Sequence, residues 1–580
     1  MPVRPRLLTR AVGRYTKART LPRKRVCQMD AAFLYAREPQ AVSRIFYGRL
    51  RANHELAAAL ARHGSGPFHC ITPSQDDMAE LRAILDARGA AATPLVAIQG
   101  GIAGLARTVG TLFRPDPNLS EAAWHRRQTL GDAAISICGL THSLSTLEAL
   151  DWIGSYTIAP LRPWDALICT SKAAKSLVLN LFQGWWDFLG ERVPGGRAAQ
   201  VGPSLPVIPL GVDCASLAPD DGAREAGRRL RSTLGLADDT VVVLHAGRLD
   251  PWEKAHPFPM FVAMERASAQ CGSRLALVLC GRFLRPEDAG DYAAAAAALC
   301  PSVDCRLLDG GRPDVWRAVW ACADIFLSLS DNVQETFGLT PVEAMAAGLP
   351  AVVSDWDGYR DTVRDGETGF LVPTLMPPAG AGREISLNYV RARDYRQTIA
   401  RIAMNTVVDL DGAAWAIARL SDDPGLRSRM GAQGRRRALT EYDWSRITGC
   451  YRSLWAELRE RRLKAQVDGV QGPECGPHYP DPFSLYRAFA AAVPTDAWMI
   501  RPCAGWRGRL RWLVGSRLAT EGGGFPADRA DHLADVLADI EAKGPTTLAA
   551  TLALLHDYGV PDAMGLVFGG AKFGLLRMDK

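Results

Sequence analysis

Four short apolar runs constrain this chain most. They are Val241-Val-Val-Leu-His-Ala-Gly247, Leu275-Ala-Leu-Val-Leu-Cys-Gly281, Ala323-Asp-Ile-Phe-Leu-Ser-Leu-Ser330 and Pro350-Ala-Val-Val-Ser354. Each is too short for a helix of its own and ends at a small residue. A helical stretch from about Pro259 to Ala269 separates the first two. Near-continuous apolar strands that alternate with helices predict a parallel sheet covered on both faces. Ligands of such sheets bind beyond the carboxyl ends of the strands, here at Gly247, Gly281, Ser330 and Ser354.

The N-terminal half repeats the theme more weakly. Val26–Tyr35, Phe68–Thr72, Pro94–Ile98, Ala133–Cys138 and Ala166–Cys169 read as strands, and Arg49–Arg62 as a helix. Val207-Ile-Pro-Leu-Gly-Val-Asp213 closes this half, and a charged stretch follows it. The simplest architecture is two doubly wound domains facing each other across a cleft. We place them at residues 29–213 and 214–440. Ser445–Lys464 is strongly helical and falls in a segment, 441–465, that leaves the second domain. Residues 466–482 are rich in Gly and Pro and read as a linker. Residues 483–580 form a separate, mainly helical module. In it Ala527–Ala542 is an amphipathic helix, followed by helix, helix and strand from Thr546 on, an order that fits a winged-helix-like unit. Its acidic first helix offers no basic recognition face, which favours a packing or partner role over DNA reading.

At 580 residues the chain exceeds one domain. A hydrophobic share of 48% with 22% charged residues is that of an ordinary globular protein. No apolar run reaches the roughly 18–20 residues of a membrane span. The net charge of +6 misleads: residues 1–28 hold nine Lys or Arg and no acid, and the remainder has 59 basic against 62 acidic residues. The body is therefore not expected to bind nucleic acid. The leader reads either as disordered, as an extension upstream of a start at Met29, or as a basic tail able to touch an anionic membrane. The 13 cysteines are scattered and odd in number, which points to reduced thiols in the cytoplasm.

Chemistry concentrates at Glu335-Thr-Phe-Gly-Leu-Thr-Pro-Val-Glu343. Thr340 suits a helix N-cap, Pro341 the first helical position and Glu343 the third, with Gly348 as the stop. On that reading Thr340 and Glu343 form a capping box, a purely structural device. A helix start also attracts phosphate, and flanking carboxylates can accept hydrogen bonds from sugar hydroxyls. That combination suggests a nucleotide-sugar site. Asp409-Leu-Asp411 imitates a metal-binding DxD motif, but it precedes a helix and reads as an N-cap.

Several segments, in order, resemble retaining glycosyltransferases of family 4, which have the two-domain GT-B fold. Ile208–Asp213 resembles the family's inter-domain "IPNGVD", with Leu210 in place of Asn. Gly247-Arg-Leu-Asp-Pro-Trp-Glu-Lys254 resembles its "GRL…K" loop, and Glu335–Glu343 its E-x7-E motif. Gly358 with Asp361, and Asp365–Gly369, resemble "GGxxE" and "DGxTG". Tyr442-Asp-Trp444 and the helix after it resemble the segment that crosses back to the first domain. The likeness is collinear from about residue 130 to 460. Ala255-His-Pro replaces the usual Gly after the lysine, and Ala36-Arg-Glu-Pro39 stands where a glycine-rich turn is usual.

The resemblance implies roles. Arg248 and Lys254 would neutralise the donor diphosphate and the charge that develops on it. Glu335 would hold hydroxyls of the transferred sugar and Glu343 the ribose. Phe337, Gly338 and Leu339 would bring backbone N–H groups to the donor. His142, at the end of the Ala133–Cys138 strand, would orient sugar or acceptor, with a structural histidine as the equal alternative. Ser171 is a weaker candidate. No metal or other cofactor is expected, since the cations and the helix start supply positive charge.

The implied activity is transfer of a sugar from a UDP- or GDP-linked donor to a saccharide or lipid-linked acceptor, in surface polysaccharide or glycoconjugate synthesis. The chain would be cytoplasmic, with peripheral contact at the inner face of the membrane. The competing readings are a catalytically silent GT-B scaffold that binds a partner and, less supported, a phosphorylase with pyridoxal phosphate on a lysine.

Overall fold

The computed structural model describes residues 31–37, 47–192, 202–468, 474–520 and 525–580. The basic leader, the start of the Val26–Tyr35 run and part of the 466–482 segment lie outside these residues. The described residues up to Tyr479 form one compact unit and those from Pro480 onward a second.

The first unit holds two six-stranded parallel sheets. The strands of the first are β1 (Ala32–Leu34), β2 (Phe68–Ile71), β3 (Leu95–Ala97), β4 (Thr111–Phe113), β5 (Ser136–Leu140) and β6 (Ala166–Ile168). Those of the second are β7 (Val241–Leu249), β8 (Leu275–Phe283), β9 (Asp304–Asp309), β10 (Ile325–Ser328), β11 (Ala351–Ser354) and β12 (Gly369–Val372). Their orders are β3-β2-β1-β4-β5-β6 and β12-β11-β10-β7-β8-β9. Read from β9, the second order repeats the first, so both sheets are doubly wound, as expected. Each switches winding direction beside its first strand, between β1 and β4 and between β7 and β10.

The continuous apolar runs follow from this layering. Val241 and Val243 face one buried cluster with Leu275, Leu277, Ile325 and Leu327. Val242, Leu244 and Ala246 face another with Ala276, Val278, Phe326 and Val353. Alternate side chains therefore feed two cores, and neither face of the strand can be polar.

Three strands carry no sequence signal of that kind. β4 has only three residues, β9 is an edge strand with polar residues at both ends, and β12 is an outer strand with two half-buried positions. A further departure lies beyond β12. Thr374–Leu375 pairs antiparallel with Val407–Val408, and two helices, Arg383–Ala392 and Tyr395–Ala403, lie between them in the chain.

The two domains are joined twice, side by side. The Val212 N–H donates to the Tyr442 carbonyl (2.9 Å), and the Trp444 N–H donates to that of Val212 (3.2 Å). The helix Trp444–Val467 then returns to the first sheet. Its Trp444, Ile447, Tyr451, Leu454, Trp455 and Leu458 fall on one face and are buried. Tyr451 and Trp455 reach Phe113 of β4, with ring centroids 5.6 and 5.7 Å apart. Glu474 binds Arg127 and His478 stacks on Trp124, so these two residues lie on the first domain.

The second unit keeps the expected order of helix, helix and strand after the acidic helix, and adds elements ahead of it. Its three-stranded antiparallel sheet has Met499–Pro502 at the centre, between Thr546–Thr547 and Leu576–Asp579. The helix Trp506–Val514 precedes the acidic helix Ala530–Lys543, which is therefore not the first helix of the unit. Helices Leu548–Asp557 and Ala563–Lys572 complete it around Ile500, Leu533, Leu537 and Leu566. All cysteines among the described residues are free. None of the described helices is long and apolar enough to cross a membrane.

Candidate active site at the second switch point

The loop after β10 runs into the helix Leu339–Ala347. That start corrects the sequence reading. Gly338, not Thr340, is the N-cap, and no side chain caps the helix. Glu343 is thus the fifth helical residue, too far along to close a capping box with Thr340. The reason lies in the backbone. Gly338 has φ of 87°, and a Cβ there would stand 2.2 Å from the Tyr359 ring, so only glycine fits. The helix ends where expected, at Gly348 with φ of 84°.

Asn332 shapes the loop. Its side chain donates to the Trp252 carbonyl (2.8 Å) and accepts from the Gln334 N–H (2.9 Å). Its carbonyl accepts from the Trp356 indole (3.0 Å) and from the Glu335 N–H (3.3 Å). The Glu335 carboxylate is thereby aimed at β7. Lys254 Nζ meets Glu335 Oε2 at 2.8 Å, although the two lie 81 residues apart in the chain. β7 extends past Gly247, so Arg248 lies on the strand end and only Lys254 lies in the turn. Arg248 binds Glu253 (2.9 Å) and Gln334 Oε1 (2.9 Å). Glu253 is buried, which pushes its carboxyl up, while Arg248 pulls it down. The site thus holds two ion pairs, Lys254–Glu335 and Arg248–Glu253, and Arg396 joins the second through Glu253 (3.6 Å) and Asp250 (3.3 Å), at the crevice where this fold class takes ligands.

The Phe337 side chain is buried against Tyr442, with ring centroids 6.2 Å apart, so only its backbone is available to a ligand. Leu339 is the first helical residue and its side chain packs against the core. Asp409 caps the helix Leu410–Asp422 by accepting from the Asp411 and Gly412 N–H groups. Among the described residues, no group of three or more His, Cys, Asp or Glu is gathered to hold a metal ion.

The first domain reaches this site through polar contacts. Arg51, on the helix Tyr47–Arg62, binds Glu343 at 3.0 Å and lies 5.7 Å from the centroid of Trp316. Ser171 accepts from the Ala174 N–H at the start of its helix and donates to the Thr336 carbonyl at 2.7 Å. The Lys172 N–H donates to Asp361 (2.6 Å). Tyr395 OH shares a hydrogen bond with Ser145 (2.9 Å) and accepts from Gln334 (2.7 Å). His142 is three residues before Ser145. Its Nε2 lies 2.7 Å from Asn53 Oδ1, and burial, helped by the charge of Arg49, lowers its pKa to about 3. It is therefore neutral at ordinary pH.

Asn332, Gln334, Tyr395 and Arg51 escaped the sequence reading. Asn332 and Gln334 stand directly ahead of Glu335, in an irregular loop after a buried strand, which is a usable signal. Tyr395 and Arg51 lie on ordinary helices with no local mark of function.

A cavity of about 370 Å³ opens at the ends of β8 and β9, lined by Gly281, Arg282, Phe283, Leu307, Leu308, Asp309 and Gly311.

Residues 228–379 match the family model described as Glycosyl transferases group 1. That segment includes Arg248, Lys254, Glu335 and Glu343. The chain is 33% identical over 179 residues to a D-inositol 3-phosphate glycosyltransferase of Corynebacterium glutamicum, covering 30% of this chain and 41% of that protein. It is 28% identical over 317 residues to a phosphatidyl-myo-inositol mannosyltransferase of Mycolicibacterium smegmatis, covering 52% and 67%. The chain spans about half the length of the first relatives it matches, 41%, 48% and 51% of three of them. Among solved structures it is similar to an Anabaena HepE in complex with UDP, at 17% identity and a TM-score of 0.47, covering 74% of this chain and 100% of that one.

Proposed function

We propose that this protein is a retaining, nucleotide-sugar-dependent glycosyltransferase of the family 4 type, with Glu335–Glu343 as its E-x7-E motif. The observation that carries the reading is the meeting of Lys254 and Glu335 at 2.8 Å, beside Arg248, at a switch point and ahead of a helix start. Cations at that place suit a donor diphosphate, and a carboxylate beside them suits sugar hydroxyls. The base would occupy the cavity at Leu307–Asp309. In the reaction the bond from the anomeric carbon to the diphosphate oxygen breaks, a bond to an acceptor oxygen forms, and the acceptor's hydroxyl proton passes to the departing diphosphate. The nucleoside diphosphate leaves with negative charge, which Arg248 and Lys254 stabilise more in the transition state than in the bound donor. Glu335 positions the sugar, Glu343 holds the ribose, and His142, as a neutral group, orients the acceptor side. No metal takes part.

The donor is UDP- or GDP-linked, and the acceptor is a saccharide or a lipid-linked molecule reached at the cytoplasmic face of the membrane. The similarity to inositol-modifying and phosphatidylinositol-modifying transferases supports this acceptor range without choosing within it.

Thermal shift with UDP, GDP and their sugars tests the donor site. A ligand at 100 times its dissociation constant stabilises by about 2.7 kcal/mol. If no nucleotide moves the melting curve, the assignment fails. Glu335→Ala should abolish transfer with melting unchanged. Tight nucleotide binding without turnover on any donor would favour the silent scaffold.

A further inference from the structure

The second unit carries a surface that the transferase reading leaves unused. Residues 497–520 contain five arginines, Arg501, Arg507, Arg509, Arg511 and Arg517, and no acidic residue. The unit as a whole is charge-balanced, and four of its eleven acids, Asp531, Asp535, Asp539 and Glu541, lie on the helix Ala530–Lys543.

The helix Trp506–Val514 shows how the basic face arises. Trp506, Leu510 and Leu513 recur at helical spacing and are buried in the core of the unit. The opposite pole then carries Gly508, Arg511 and Trp512. A side chain started at Gly508 would have nothing within 4 Å, so that pole is open. Trp512 is 68% exposed, and on the next turn of chain Leu518 is 92% exposed. Arg501 pairs with Asp579 (3.1 Å), Arg507 with Glu541, and Arg509 donates to the Ala504 carbonyl (2.7 Å). Arg511, next to Trp512 in the chain, is exposed, as are Arg509 and Arg517.

An exposed indole and an exposed leucine in a segment of arginines match the chemistry of an anionic bilayer surface. The apolar tips enter the boundary between headgroups and chains, and the arginines pair with lipid phosphates. A nucleic acid would use the arginines and stack on Trp512, but it would leave Leu518 and Val514 without a partner. We propose that this face docks the protein on anionic phospholipid. The inference does not depend on the transferase assignment, because docking is read without any donor.

The test is flotation of the full chain with vesicles of phosphatidylcholine alone and of phosphatidylcholine with phosphatidylglycerol. Binding is expected only with the anionic lipid, and it should weaken as salt rises. The double variant Trp512→Ser, Leu518→Ser, with melting unchanged, should reduce the bound fraction at least tenfold, and Arg511→Ser alone should reduce it several-fold. Failure of the wild-type chain to float overturns the proposal. So does undiminished flotation of both variants, which would assign binding to the basic leader. An oligonucleotide that binds the wild-type chain, loses affinity in the same variants and competes with the vesicles would show a nucleic-acid face instead.

Discussion

Arg51 and Glu343 form a 3.0 Å ion pair between a helix of the first sheet domain and a helix of the second. The carboxylate proposed to hold the ribose is therefore covered by the facing domain. Burial pushes the Glu343 carboxyl up, and Arg51 holds it down. Removing the guanidinium has two expected effects. Arg51→Met leaves a buried carboxylate unpaired and should cost about 1–3 kcal/mol in urea denaturation. It also frees Glu343, so nucleoside diphosphate should bind about threefold to tenfold more tightly by calorimetry, the upper figure being 1.4 kcal/mol. Weaker binding would mean that Arg51 itself touches the donor.

Lys254 and Glu335 should separate binding from turnover. Lys254→Ala removes a cation from the diphosphate position and should raise the nucleoside diphosphate Kd by about tenfold or more. Glu335→Ala should leave that Kd within about threefold while transfer is lost, because the proposed Glu335 contact is to the sugar, which the free diphosphate lacks. Calorimetry with the diphosphate and single-turnover assays with the intact donor distinguish the two.

Tyr395 connects the inserted helix to both domains through Ser145 and Gln334, and Gln334 in turn holds Arg248. Tyr395→Phe deletes two hydrogen bonds and keeps the ring. Each such bond is worth about 0.5–1.5 kcal/mol, so loss of both should lower kcat/KM by roughly fivefold to 150-fold. The companion Tyr389→Phe loses one bond, to the Leu147 N–H at 3.0 Å, which lies farther along the first-domain loop. It should have the smaller effect in the same assay.

Asp331 gives the site a pH dependence. It follows β10, is 5% exposed, and its Oδ1 has no hydrogen-bond partner among the described residues. Burial raises its pKa to about 7, from an ordinary value of 3.8. The native state then binds the proton more tightly than the unfolded chain, so this residue's contribution to stability falls as pH rises from about 4 to about 7. The full effect is on the order of 4 kcal/mol. Asp331→Asn should remove it: urea midpoints should rise above those of the wild-type chain at pH 8 and converge with them near pH 4.

The second sheet was legible because its strands are buried on both faces, as Val241–Leu244 illustrate by feeding two cores in alternation. The Trp444–Val467 helix was legible as the strongly helical stretch Ser445–Lys464. β4 was not, since three residues cannot show a period, and β9 was not, since an edge strand need not be apolar. At the site, Arg248, Lys254, Glu335 and Glu343 could be named from spacing and resemblance, but not their mutual bonds. Thr340 illustrates the limit. T-x-x-E is a sound local capping signal, yet the Tyr359 ring against Gly338 starts the helix earlier.

The sequence by itself determined the two doubly wound sheets, the strand ends where a ligand would bind, and the charged residues clustered there. Those follow from burial and local spacing, which act over a few residues. Only the tertiary structure decided that Lys254 meets Glu335, that Arg51 covers Glu343, that Phe337 turns into the core and that Tyr395 bridges the domains. Each of those depends on how distant elements pack, and packing sets distances to a few tenths of an ångström that no local pattern encodes.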